Sequence, residues 1–387
     1  MTYLLRPPEE YMNQEQLMDY LLQQNRNLNQ ILTNLGQENL GKALKTIIDE
    51  GGGGPSAATV IVATRDFSRN YKNADFIVPT GATDAQVTIN LAIAALPADG
   101  GDVLLLEGVY TVDGPIGLPS NVALRGTGSG TIVKATTGIV LVKNADQVAG
   151  NTNIKVTDIT IDGTGAAISC INFKKVTGST ISRCNIKGAK TGAEGTQGGI
   201  LLHTCTDNVI QANILENNVY SIYCTGSKSN NIVANIAKVD SNFGIILNGS
   251  NNDNNSITSN IFSNGTLGIY CGDDNNNIVG NTCNYNKAWG IRILGDSNQI
   301  VGNNLLQNAY QYPADDDAQL YINGGNYNNI QNNTIRRGVL ADGCGYGIEV
   351  SGTKNIVTNN DLYQSGYVGT IVDTGTGTVT TAGNRLT

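Results

Sequence analysis

The chain repeats itself. The segment "NNIVANIAKVDSNFGIILNGS" at 230–250 returns loosely as "NNSITSNIFSNGTLGIYCGDD" at 254–274 and as "NNIVGNTCNYNKAWGIRILGDS" at 276–297. An Ile marks the register at Ile210, Ile232, Ile257, Ile278, Ile300, Ile330 and Ile356, in steps of 22, 25, 21, 22, 30 and 26 residues. A second mark is Gly-Ile or a near equivalent: Gly199-Ile200, Ser221-Ile222, Gly244-Ile245, Gly268-Ile269, Gly290-Ile291, Gln319-Leu320 and Gly347-Ile348. Between the two runs the series Asn213, Asn235, Asn260, Asn281, Asn303, Asn333 and Asn360.

A copy this short, with alternating apolar residues and turn residues, cannot bury a core alone; stacking each copy on the next closes one. Inside the repeat there is no long segment of 3.6-residue period, which excludes a helical solenoid. The fold class expected is all-β, a solenoid of parallel strands. Asn fits the corners because it tolerates left-handed backbone angles, and stacked amides can bond one another.

The flanks differ. Tyr11, Met18, Asn25 and Leu32 share one heptad position and Gln14, Leu21, Leu28 and Leu35 the other, a coiled-coil seam or alternatively a capping helix. The expected organisation is a helical segment over 1–50, a Gly-rich linker over 51–60 and a solenoid over 61–387. The net charge of −8, without a Lys/Arg cluster, argues against a nucleic-acid partner. No apolar run is long enough to span a membrane, and the first residues do not read as a secretory signal. Seven scattered cysteines with a single His read as buried thiols, so no metal site is expected from them.

The stretch "ADFIVPTGATDAQVTINLAIAALPADGGDVLLLEGVYTVDGPIGLPSNVALRGTG" resembles the opening unit of right-handed parallel β-helices of the pectate-lyase-like superfamily, with a capping helix near Asp84–Leu96 inside a unit at 73–125. The resemblance covers roughly residues 73–387. It implies a phage tailspike-like polysaccharide depolymerase, a lyase or glycoside hydrolase, on a virion or outside the cell. A mannuronan C5-epimerase-like enzyme and a non-catalytic glycan-binding fibre or adhesin are the alternatives. Helix, hinge and β-helix in that order also resemble trimeric tailspikes, which implies a homotrimer.

Alternation places two outward columns on the Gly-Ile strand. One is Leu201, Tyr223, Ile246, Tyr270, Arg292, Tyr321, Glu349; the next is His203, Thr225, Asn248, Gly272, Leu294, Asn323, Ser351. Aromatic rings suit sugar faces and amides suit their rims, so Tyr223, Tyr270, Tyr321, Asn248 and Asn323 are the substrate-binding candidates. A ring ladder that only stabilises the sheet is the bland alternative. Longer loops at 187–198, 308–318 and 336–346 would wall the face into a groove.

Two chemistries compete. Elimination or epimerisation of a uronan would use His203 as base, Arg292 against the carboxylate, and Tyr223 or Tyr270 as acid. Hydrolysis would use Asp316 and Glu349 as the carboxylate pair, roughly 5 to 9.5 Å apart. Asp315, Asp316 and Asp317 could instead hold Ca²⁺, the one cofactor the sequence suggests. The full chain is expected to sediment as a trimer and a variant lacking residues 1–50 as a monomer; two monomers would contradict the seam.

Overall fold

The computed structural model describes residues 59–386 apart from 69–70, 191–196, 239–242, 311–317, 339–343 and 381–382. The heptad segment, and with it the expectation of a helical N-terminus, lies outside the described residues. Strand Thr59–Thr64 begins inside the stretch read as linker, because "TVIVAT" alternates and buries Val60 and Val62 against the first winding.

Short apolar-alternating segments make the windings. Asn231–Val233, Ile236–Lys238 and Phe243–Leu247 form one, and each pairs in parallel with its counterpart in the next: Ser256–Thr258, Ile261–Ser263 and Leu267–Cys271. Repetition yields three parallel sheets of 13, 10 and 11 strands among the described residues, the right-handed parallel β-helix expected. Helix Ala85–Ala94 closes the opening end. It buries Ala85, Ile89, Ala92 and Ile93, and Asn90 ties it to the first winding through Pro115 O and Gly117 N. Among the described residues, no helix is long and apolar enough to cross a membrane.

The interior follows the repeat. Ile210, Ile232, Ile257, Ile278, Ile300 and Ile330 pair in register and are fully buried. Each contributes about 1.5–3 kcal/mol of apolar burial. The next inward residue in this column is Val357, not Ile356. Ile330 pairs with Val357, and Ile356 stands opposite Asn329 with 42% of its surface exposed. A one-residue slip moves a strand residue to the other face, and the apolar pair Ile356-Val357 hides it from pattern reading.

Two corners carry stacked, buried amides. In one, Asn235, Asn260, Asn281, Asn303, Asn333 and Asn360 each present Oδ1 to the backbone N–H of the Asn in the preceding winding, and Asn213, which heads the row, presents its own to Cys184 N. In the other, Asn230, Asn255, Asn276, Asn298, Asn328 and Asn355 do the same, headed by Asn208, whose Oδ1 accepts from Ser179 N. The left-handed angle expected of these Asn falls one residue earlier, for example on Ala234, Ser259 and Gly280 at φ 55°, 56° and 65°. The Asn is there for its amide, whose oxygen accepts and whose Nδ2, that of Asn298 excepted, donates inside the coil.

Asn260 shows the consequence. Its Oδ1 accepts from Asn235 N and Nδ2 at 2.9 and 3.0 Å, and its Nδ2 donates to Ile232 O and Asn281 Oδ1 at 2.8 and 3.0 Å. Asn260→Ala is expected to cost about 2–4 kcal/mol in denaturant unfolding, because it strands buried polar groups. Asn304→Ala, on the exposed face, is expected to stay within about 0.5 kcal/mol.

Candidate functional site

Each winding enters its third strand through a tight corner. A Cβ at Gly268 would meet Gly290 O and Cys283 Sγ, so the windings are too close there for a side chain. The residue before this glycine and the residue two after it both face outward, giving two neighbouring columns. One is the column drawn from the sequence, and the pairing reproduces it step by step from Leu201 through Tyr223, Ile246, Tyr270, Arg292 and Tyr321 to Glu349. The other includes Tyr220, Phe243, Leu267 and Trp289.

The two columns cover one another at one end. Tyr220 stacks on Phe243 with ring centroids 5.2 Å apart and meets Tyr223 at 5.2 Å. Leu201, Tyr223 and Ile246 are thereby buried, Tyr223 and Ile246 each to 7% exposure. The expectation of a solvent-facing Tyr223 is therefore corrected: the ring is part of a second apolar cluster laid on the outside of the sheet. Alternation gives direction, and it says nothing of what lies on top.

The column opens at the windings of Tyr270, Arg292 and Tyr321, all half-buried. Here the guanidinium carbon of Arg292 lies 4.5 Å from the Trp289 ring, 5.7 Å from Tyr321 and 5.9 Å from Tyr270. Ring faces attract a cation, and more so where water is thinned. Among the described residues Arg292 makes no ion pair, and its buried Nε has no hydrogen-bond partner. Tyr270, Trp289 and Arg292, with Phe243, Ile246 and Asn248, bound a groove of about 600 Å³. Asn248 Nδ2 lies 3.4 Å from Tyr223 Oη.

Trp289 was not among the sequence candidates. The signal was present, since it is the chain's single Trp and occupies the place before Gly290 that Tyr220 and Phe243 fill before their own marks.

The remaining candidates separate. His203 pairs with Lys174 and Thr225, and its winding lies four steps from that of Arg292, about 19 Å at the spacing of paired strands. The two cannot work on one sugar, so the elimination scheme joining His203 to Arg292 is not assembled. Glu349 is two windings from Arg292 on the other side, about 10 Å away along the axis. Asn323 is half-buried in the column of Asn248. Asp316, like Asp315 and Asp317, lies outside the described residues, as do the central parts of the three long loops.

Other carboxylates hold turns. Asp274 Oδ1 accepts from Asp296 N at 2.7 Å, and Asp296 Oδ1 from Asn326 N at 2.7 Å. Asp273 is buried against Asn252 Nδ2 at 2.8 Å, and burial lifts its carboxyl above the usual range. Asp158 grips Arg183 at 2.7 Å, which holds its carboxyl below that range.

The family described as periplasmic copper-binding protein (NosD) matches residues 122–323, and the chain belongs to it. Among solved structures, it is similar to the Dettilon tailspike protein (19% identity, TM-score 0.63, covering 79% of this chain and 64% of that one). It is similar also to a mutant tailspike of E. coli bacteriophage HK620 in complex with a pentasaccharide (12%, 0.59, 78% and 62%). A third is the A-module of the Azotobacter vinelandii mannuronan C-5 epimerase AlgE6 (18%, 0.52, 78% and 96%). The chain thus spans less than two thirds of each tailspike, and likeness at this identity speaks for the fold. No curated protein sequence matches it.

The family's description raises copper, and the donors present do not fit it. Among the described residues no three His, Cys, Asp or Glu side chains stand close enough to share a metal ion. All seven cysteines are buried, and burial pushes the Cys184 and Cys205 thiols up to about 12 and about 11, away from the thiolate a metal needs.

Burial, and then the charge of Lys174, lower the pKa of His203. Its NMR titration midpoint is expected below the ordinary 6.5, with a partial return in Lys174→Ala. Folding therefore loses stability as the pH falls through the unfolded-state value, because the unfolded chain takes up this proton more readily. A midpoint at or above 6.5 would contradict this.

Proposed function

We propose that this chain is a β-helix protein that binds an acidic polysaccharide of a bacterial surface along its third sheet, as a tailspike-like depolymerase. One observation carries the reading: the Arg292 guanidinium is cradled by Trp289, Tyr270 and Tyr321 on the wall of an open groove. Rings offer flat apolar faces to sugar carbons, and a planar fork pairs with a carboxylate through two parallel hydrogen bonds. Prepaid orientation of the arginine by three rings makes it a recognition group, since little rotamer freedom remains to be lost on binding. A tailspike that holds a pentasaccharide and an epimerase of mannuronan, both among the similar structures, support the same substrate class.

Cleavage by hydrolysis would draw on Asp316 and Glu349. Binding without cleavage is the second reading, favoured by the absence of Asp and Glu from the described lining of the groove. Homotrimeric assembly on a virion or outside the cell belongs to the same proposal.

The test is a panel of bacterial exopolysaccharides, alginate, pectin and teichoic acid, with binding and product release both followed. Arg292→Ala and Trp289→Ala should each weaken binding of the accepted glycan about ten- to a hundredfold, the loss of a charged hydrogen bond or a stacked ring. Arg292→Lys should not restore it, because the fork is lost. New ultraviolet absorbance would identify a lyase, reducing ends alone a hydrolase, and neither a binding fibre. Full binding by Arg292→Ala would refute the proposal.

A further inference from the structure

A second groove, of about 810 Å³, opens on the same face several windings nearer the capping helix. Its character differs from the first. Asn172, Lys174, His203, Thr204, Thr225 and Lys228 line it, and no large apolar side chain does. Lys174 and His203 are paired neighbours in one outward column, and Lys228 follows from the turn beside Thr206. Among the described residues neither lysine makes an ion pair. Asp207, in the turn after His203, is exposed and has its backbone N–H bonded to Lys228 O. In a chain of net charge −8, two uncompensated ammonium groups and an imidazole around one hollow are a local reversal of sign.

The floor adds an independent sign of a ligand. Asn172 Oδ1 is buried and has no hydrogen-bond partner. Buried amide oxygens are almost always satisfied, and this one belongs to a residue that lines the hollow. The two grooves are neighbours: Asn248 lines the first and Gly249, the next residue, lines the second.

We propose that this hollow is a second anion subsite, taking an oxyanion substituent of the polysaccharide whose other charge Arg292 engages. The inference rests on the reading of the face as a glycan groove. Lysines act as point charges toward carboxylate, sulfate or phosphate, and threonine hydroxyls complete the shell. The subsites stand about 19 Å apart, four windings, so a chain that reaches both gains from the second contact without paying again for association. Charge spacing along the glycan then becomes a determinant of specificity.

The chain carries one His and one Trp, and they fall in different grooves. In the full-length protein with isotope-labelled histidine, the His203 resonances report the second subsite and Trp289 fluorescence the first. Sodium sulfate, against sodium chloride at equal ionic strength, should shift His203 saturably and raise its titration midpoint. Lys174→Ala with Lys228→Ala should weaken that response at least tenfold, while Arg292→Ala should leave it. Oligomannuronate long enough to span four windings should move both reporters, and a short oligomer Trp289 alone. A sulfate response that is absent, or unchanged in the double lysine variant, would overturn the subsite and leave the Trp289 groove standing. Sulfate moving His203 while no oligomer does would overturn its glycan role. A His203 response with an unmoved Trp289 would instead count against the reading of the first groove.

Discussion

The hydrogen bond from one winding's corner N–H to the next winding's asparagine Oδ1 sets the terms for everything else. A parallel ladder fixes the distance between windings, and the corners decide whether successive windings stay in register. Two rows of buried amides do this at two of the corners; Asn260, for example, uses its oxygen on Asn235 and its Nδ2 on Ile232 O and Asn281. The backbone accepts a left-handed residue just before each one, a conformation that costs roughly 1–2 kcal/mol outside glycine. The amide bonds offset that cost. Because the rows are periodic, the outward columns are periodic too, and a side chain's place on the surface follows from its place in the repeat.

Function is then a matter of which windings depart from the apolar norm. Near the middle of the third sheet Tyr220, Phe243 and Tyr223 close over the column, and the surface there is a second small core. Three windings on, an arginine takes the place of the apolar residue, a tryptophan takes the place before the glycine, and the strip opens. The transition is a change of side chain on an unchanged backbone, which is how a solenoid varies recognition without altering its fold.

Much of this was legible in the repeat. The paired column from Leu201 to Glu349 could be drawn because Gly-Ile marks every winding but two in the same way. Ile356 was misplaced because Val357 follows it and either could be the inward residue; the partner strand decides. Tyr223 was expected in solvent because period-2 alternation carries no information about a neighbouring column three residues back, where Tyr220 and Phe243 sit. His203 and Arg292 were joined because residue types suggested a shared reaction, although counting windings between them already separated them. Where chemistry needs two groups on one atom, the winding number is the first distance to check.

Native-state hydrogen exchange tests the ladder most directly. The corner amides of Asn235, Asn260 and Asn281 should exchange as slowly as the N–H groups of the flanking strands, through unfolding of whole windings. Exchange of these amides at the rate of exposed turns, with the strands still protected, would contradict the account.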